Sequence, residues 1–365
     1  MMDRRSPLAG VLEAAAFTEV AGVRLPEHFG DPAAEYRALR EAAGLLDRAT
    51  AGLLRMTGAD RVRFLNGMIS NDVKALTPGA GLYAALCSPQ GKVLGDLRVL
   101  AVEEALLLLC EAACRARVAQ TLDRFIIADD AKVADASGEV AVLGCYGPKA
   151  AQAVAGVAGS LPPELAPHHH AEVRVGDAHA RVVATPFLGV PGFDLVLPAA
   201  AAAAVAGRLL EAVKGVGGRA VGHAAFETVR AEAGTPWYGL DFDENTLPQE
   251  AGLETTAVSF TKGCYIGQET VARIHFRGHV NRRLTGLALE GNTVPARGSR
   301  VLRGEAEVGR VTSAVRSPAR GTPVALAMVR REARELGTSL TVEGDGTLLT
   351  AKVIPLPLTP PLPAA

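Results

Sequence analysis

The chain has 365 residues, 48% hydrophobic and 21% charged, with 38 Lys plus Arg against 39 Asp plus Glu. That length supports two or three domains with proper cores, and the even charge balance excludes a global field that recruits polyanions, so any anionic partner needs a local cluster. No apolar run approaches the roughly 20 residues that span a bilayer, and five scattered cysteines lack metal-ligand spacing, so a reduced, cytoplasmic protein without a metal site or membrane partner is expected.

Arg4 and Arg5 precede a short apolar patch, but Glu13 interrupts it and the patch is too weak for a signal sequence. Residues 53–56 read as a strand, Gly58 as a turn and 61–65 as the core of a helix; 140–143, the turn at 144–147 and 150–154 repeat that order. Each set runs on into alternating strands and a second helix. In the first these are 94–109 and about 117–125; in the second, 182–197 and an alanine-rich helix at 199–213, closed by the glycines at 215–218. The repetition predicts an internal duplication, and strand pairs leading into packed helices predict an α+β class. Cys110 and Cys114 fit one helix face with no second pair to complete a zinc site. His168, His169 and His170 follow Pro162, Pro163 and Pro167 and read as a loop rather than a metal site.

A helix is expected over 223–233, closed by Gly234 and stopped by Pro236, with Phe226, Val229 and Ala233 as its apolar face and Glu232 at the border. A carboxylate there is either a surface residue or a buried acceptor. Trp237 and Tyr238 suit a core or a cleft equally.

The most informative stretch is residues 262–269, KGCYIGQE. Gly263 and Gly267 free the backbone for a sharp bend, and Gln268 and Glu269 begin a run of good helix formers, which sets Cys264 just before a helix N-terminus. There the unpaired N–H groups and Lys262 favour a thiolate. An exposed reactive thiol and a buried cysteine beside a turn are the two readings. Beyond it, Arg273, His275 and Arg277 alternate with Ile274 and Phe276, predicting a strand with three cations on one face. Such a face is an anion clamp or a solvated edge. From Arg282 the texture becomes short strands between Gly and Pro, at 284–289, 300–302, 307–311, 323–328 and 340–342, which predicts a small barrel. The tail from Pro355 reads as extended and partly mobile.

KGCYIGQE followed by VARIHFRG resembles the signature of the YgfZ family of folate-binding proteins, relatives of the glycine cleavage T-protein. Residues 36–72, 81–100, 229–253 and 308–329 extend the likeness over most of the chain. The resemblance implies two related α+β units and a C-terminal small β-barrel, arranged as a ring around a central cleft. The expected division is 30–135 with 220–280, then 136–219, then 281–356. It implies tetrahydrofolate as cofactor and a role in assembling or repairing the iron–sulfur clusters of client enzymes, tRNA-modifying ones among them, with no direct nucleic-acid contact. It further implies catalytic roles for Cys264, Lys262 and Asp96, and folate contacts from Glu232, Tyr83, Arg273, Arg277, Gln268 and Trp237; Asn71 and Asp72 match pocket-wall positions. In T-proteins the glutamate matching Glu232 bonds the pterin, and an adjacent aspartate pair stands where this chain has Gly95 and Asp96; Cys110 stands where they have asparagine. Those departures count against the alternative, an aminomethyltransferase that moves a one-carbon unit from a lipoyl-bound intermediate to tetrahydrofolate.

Overall fold

The computed structural model describes residues 8, 11–159, 165–344 and 346–359. Arg4, Arg5, Pro162 and Pro163 lie outside them. The fold is α+β: two sheet-rich units and a closed barrel. Among the described residues no helix is long and apolar enough to cross a membrane.

The first unit is a five-stranded antiparallel sheet in which Gly81–Cys87, Val93–Val102, Ala105–Glu111, Ala51–Thr57 and Lys132–Asp135 lie side by side. The second has six strands in the order His170–Val175, Ala178–Ala184, Gly192–Pro198, Val140–Tyr146, Gly44–Asp47 and Arg219–Val221, the last pair parallel. Gly44–Asp47 therefore belongs to the six-stranded sheet, which corrects the expected assignment of 30–135 to the first unit. Its partner across the ladder is Val140–Tyr146, and that non-local pairing leaves no mark in the local sequence.

Alternation along the strands explains the layers. Leu54, Met56, Leu97, Val99 and Leu108 turn to one side and pack on the helices Arg61–Met68 and Ala112–Phe125. Leu53, Leu100 and Leu109 turn to the other and meet Val142, Val183 and Val196 of the six-stranded sheet. The remaining face of that sheet, Leu143, Cys145, Leu195 and Leu197, packs on the helices Ala150–Ala158 and Ala202–Gly215. The order is helix, sheet, sheet, helix. Because strands in the middle are covered on both faces, 105–110 is continuously apolar, each such side chain contributing about 1.5–3 kcal/mol on burial.

The barrel is closed in the order Arg282–Leu289, Pro323–Arg330, Ala306–Arg316, Arg300–Arg303, Ser339–Gly344, Thr347–Ile354 and back to the first. It is fastened to the helix His223–Glu232 by buried polar groups. Arg230, fully buried, donates to Asp241 Oδ2 and to Ser313 Oγ of the barrel, both at 2.7 Å, while Thr312 and Ser313 donate to Asp241 Oδ1. The expectation of a mobile tail is corrected for 355–359: Leu358 is buried against Leu284, Val324 and Leu326, and its N–H donates to Glu232 O at 2.8 Å.

The expected strand at 273–277 is a helix, Gln268–Arg277. Gly267, left-handed at φ 87°, starts it, and a Cβ there would lie 2.4 Å from Ser88 O, so the bend needs glycine. Glu269 in the first turn and His275 and Arg277 in the last suit the helix dipole. Arg273 and Arg277, one turn apart, share a face, but His275 turns away to stack on Phe260 at 3.6 Å. The three cations form no common clamp.

Candidate functional site

The layer between the sheets changes from hydrocarbon to charge at one end. Asp96, Arg98 and Leu100 share the inward face of Val93–Val102, and Tyr83 pairs directly with Arg98 on the next strand. Arg98 donates to Asp194 Oδ2 at 2.6 Å and to Thr185 Oγ1 at 2.9 Å, linking one sheet to the other. Tyr146 also donates to Asp194, and Arg48 stands 3.7 Å from it while donating to Glu111 Oε1 at 2.7 Å. The guanidinium of Arg48 lies 5.1 Å from the Trp237 ring and that of Arg98 4.9 Å from the Phe187 ring. Leu46, Arg48, Thr50, His223, Phe226 and Trp237 line a recess beside the cluster. A wider cleft of about 930 Å³, with Lys92, Glu250, His279, Arg282 and Arg331 on its walls, shares no residue with it.

Asp96 is the chemically poised member. Burial raises its pKa to about 6, with Glu111 adding to the rise, while the Tyr83 hydroxyl, donating to Oδ2 at 2.7 Å, pulls the other way. Tyr83 itself is held well above its ordinary value by burial and by Asp96, so it remains a donor. Burial alone would raise Asp194, yet Arg98 and Arg48 hold it below the ordinary carboxylate value. Two carboxylates in one layer are thus pushed apart, one toward a proton and one toward permanent charge. Gly95 has a local cause: a Cβ there would lie 2.6 Å from Val118 Cγ2 and 2.9 Å from Cys114 Cβ, because the helix Ala112–Phe125 packs directly on the strand. Cys110 is buried.

Of the residues singled out in the sequence, the structure brings Asp96, Tyr83 and Trp237 into this region. Glu232 lies elsewhere. Its carboxylate is fully buried and already bonded, Oε2 accepting from Tyr36 OH at 2.8 Å and Oε1 from Ser317 Oγ. Both oxygens serve the protein, where a pterin contact was expected. Lys262, expected beside a thiolate, is likewise bonded to the fold. Its Nζ donates to the carbonyls of Asn66, Ile69 and Asn71 at 2.6, 2.7 and 2.9 Å, around the C-terminal end of the helix Arg61–Met68. Burial lowers its pKa to about 8, the three carbonyls favour its charge, and none of those donors is left for a thiolate. Cys264 is exposed on the turn before Gln268–Arg277, and no hydrogen bond ties it to Asp96 or Glu232 among the described residues. Arg273 and Arg277 are exposed on that helix, and Gln268, half-buried, opens it. Asn71 serves the backbone, donating to Tyr83 O at 2.9 Å, and Asp72 caps the turn at Lys74.

Sequence reasoning missed Arg48, Arg98, Glu111, Asp194 and His168. The signal was present for two of them: Arg98 and Asp194 are charges inside largely apolar strands, where a buried ion needs a partner. Among the described residues no group of three or more His, Cys, Asp or Glu is placed to hold a metal.

Comparison with known proteins agrees with this architecture. Residues 10–262 match the GCVT N-terminal domain and residues 282–359 the glycine cleavage T-protein C-terminal barrel domain. An aminomethyltransferase of Saccharopolyspora erythraea is 33% identical, covering 97% of each chain, and one of Bacillus subtilis is 29% identical, covering 93% of this chain and 94% of that one. The crystal structure of glycine cleavage system aminomethyltransferase T from Bartonella henselae superposes with a TM-score of 0.87 at 26% identity, covering 97% of both. These full-length likenesses overturn the expectation of a protein serving iron–sulfur client enzymes and favour the aminomethyltransferase alternative. The chain belongs to the glycine cleavage T-protein, or aminomethyltransferase, family.

Proposed function

We propose that the protein is an aminomethyltransferase whose proton-handling group is Asp96. The observation that carries this reading is a half-buried carboxyl between the sheets, brought to about 6 by desolvation and held by Tyr83 at 2.7 Å, in a chain that follows aminomethyltransferases from end to end. Aminomethyltransferases use tetrahydrofolate as the one-carbon acceptor. The donor set suits that molecule: an acceptor carboxylate for a ring edge rich in N–H, flat faces at Phe187 and Trp237, and buried Glu111 Oε2 and His168 Nδ1 with no protein partner. The acceptor supplies two nitrogens that together bond the methylene carbon. As the carbon leaves its amine and its lipoyl sulfur, two N–H protons go, one to the departing ammonia and one to the thiolate.

Asp96 is matched to receive and return such a proton, because a carboxyl near 6 is largely ionised at neutral pH yet a far stronger base than one near 4. Tyr83 orients its Oδ2. Arg98 and Asp194 neutralise each other beside it, so the layer holds its shape without adding net charge. The YgfZ-like string at 262–269, with Cys264 exposed, supports placement in a cysteine-bearing branch that keeps this folate site.

The test is ammonia release that depends on both tetrahydrofolate and an aminomethylated lipoyl carrier protein. The wild type should release ammonia and Asp96→Asn should not. A wild type that binds tetrahydrofolate but releases none would end the reading.

A further inference from the structure

His168 comes from a segment that stitches the two α+β units together. Its own N–H donates to Ala184 O at 2.9 Å in the six-stranded sheet, while His170 N donates to Gly79 O at 2.9 Å and His170 Nε2 lies 3.0 Å from Ala101 O, beside the five-stranded sheet. The approach is tight: a Cβ on Gly81 would stand 2.2 Å from the carbonyl oxygen of His168. The backbone of His168 is left-handed, φ 68°, which among described residues other than glycine it shares only with Ala21. Few residues with a Cβ adopt that conformation, and backbone held there by its surroundings concentrates at functional sites.

The strain aims a ring. The imidazole stacks on Tyr83 with centroids 5.9 Å apart and planes 22° from parallel, and the Tyr83 hydroxyl is the group that holds Asp96. His168 Nδ1 is buried and meets no hydrogen-bonding group of the protein, a condition that costs stability unless something else meets it. Burial, with the Arg98 guanidinium and His169 adding to it, lowers the His168 pKa to about 4, so the ring is neutral at neutral pH and has one acceptor nitrogen to offer.

We propose that His168 is a ligand-contacting residue of the one-carbon site: its imidazole, stacked on Tyr83, hydrogen-bonds through Nδ1 to the N–H edge of the reduced pteridine held beside Asp96. This rests on the folate reading above and deepens it, since the second unit, through His168, then touches a ligand that the first unit binds. The His168–His170 run, read from sequence as a bare loop, becomes part of the pocket.

Calorimetric titration of tetrahydrofolate into wild type, His168→Gly and His168→Phe, with melting temperatures taken alongside, decides the matter. His168→Gly suits the left-handed backbone and should stay folded while binding at least about tenfold more weakly, the loss of one good hydrogen bond and a stack. His168→Phe keeps a ring on Tyr83, loses Nδ1, and should bind several-fold more weakly. Wild-type affinity in both variants overturns the proposal while leaving the folate reading intact, as does a fall in melting temperature with affinity unchanged, the mark of a purely structural role. A wild type with no affinity for tetrahydrofolate overturns both. If His168→Gly fails to fold, His168→Phe alone decides.

Discussion

Arg98, in the five-stranded sheet, donates across 2.6 Å to Asp194, in the six-stranded one, and both side chains are sealed from solvent. Among the described residues, Asp194 alone forms ion pairs with both Arg98 and Arg48. Asp194→Asn therefore takes from buried Arg98 its carboxylate at 2.6 Å, while Arg48 keeps Glu111 at 2.7 Å, and should cost about 3–5 kcal/mol, read as a lower urea midpoint. The double variant Arg98→Met with Asp194→Leu should recover part of that loss. A single variant as stable as wild type would show that the pair does not hold the sheets together.

Asp96 carries a stability cost that its chemistry requires. Moving from 3.8 to about 6 on burial corresponds to about 3 kcal/mol at neutral pH. Asp96→Asn should therefore stabilise the fold by up to about that amount while lowering ammonia release at least about 100-fold. The pH dependence has a definite sign. The folded pKa lies above the unfolded one, so between about 6 and about 4 the native state holds the extra proton and the wild type gains stability as pH falls. The advantage of Asp96→Asn should shrink from pH 7 to pH 4 in chemical denaturation; an advantage that grows on acidification would contradict it.

Glu232 is a tie between parts of the fold. Replacing it by alanine strands Tyr36 OH and Ser317 Oγ in the interior, and each stranded hydroxyl costs about 1–3 kcal/mol. Glu232→Gln can keep one of the two bonds and should lose much less. Denaturation midpoints test this. Glu232→Ala with full stability but no tetrahydrofolate affinity would return the residue to the ligand.

Cys264 and Lys262 should behave oppositely although two positions apart. Cys264→Ser changes an exposed side chain outside the Asp96 cluster, so melting temperature, tetrahydrofolate affinity and ammonia release should all stay at wild-type values. Lys262→Met removes three donors from the carbonyls of Asn66, Ile69 and Asn71 and should cost about 1–3 kcal/mol. Lost transfer in Cys264→Ser with affinity intact would bring the sulfur back into the mechanism.

The duplicated strand, turn and helix order, the helix ending at Glu232 and the barrel after Arg282 were legible because each is written locally, in periodicity and in the glycines that stop it. The polar layer was not. Tyr36 and Glu232 are 196 positions apart, and Arg98 and Asp194 are 96 apart, so each looked like a lone charge or hydroxyl whose partner no window contains. The helix Gln268–Arg277 was misread because residues 273–277 alternate by chance at an exposed end. Val271 and Ile274, three apart, carried the helical period, but too few residues of that helix are buried to make it prominent. Likeness to relatives assigned Glu232 and Lys262 to a ligand and a thiol, whereas their partners are hydroxyls and carbonyls of the fold itself.

The guanidinium of Arg230, gripped by Asp241 on one side and Ser313 on the other, means that the C-terminal barrel is not a detachable module. Severing the chain ahead of residue 282 would take Ser313 and Thr312 away and open this ion pair to water. A chimera built from two relatives would inherit the same defect unless all four side chains travelled together.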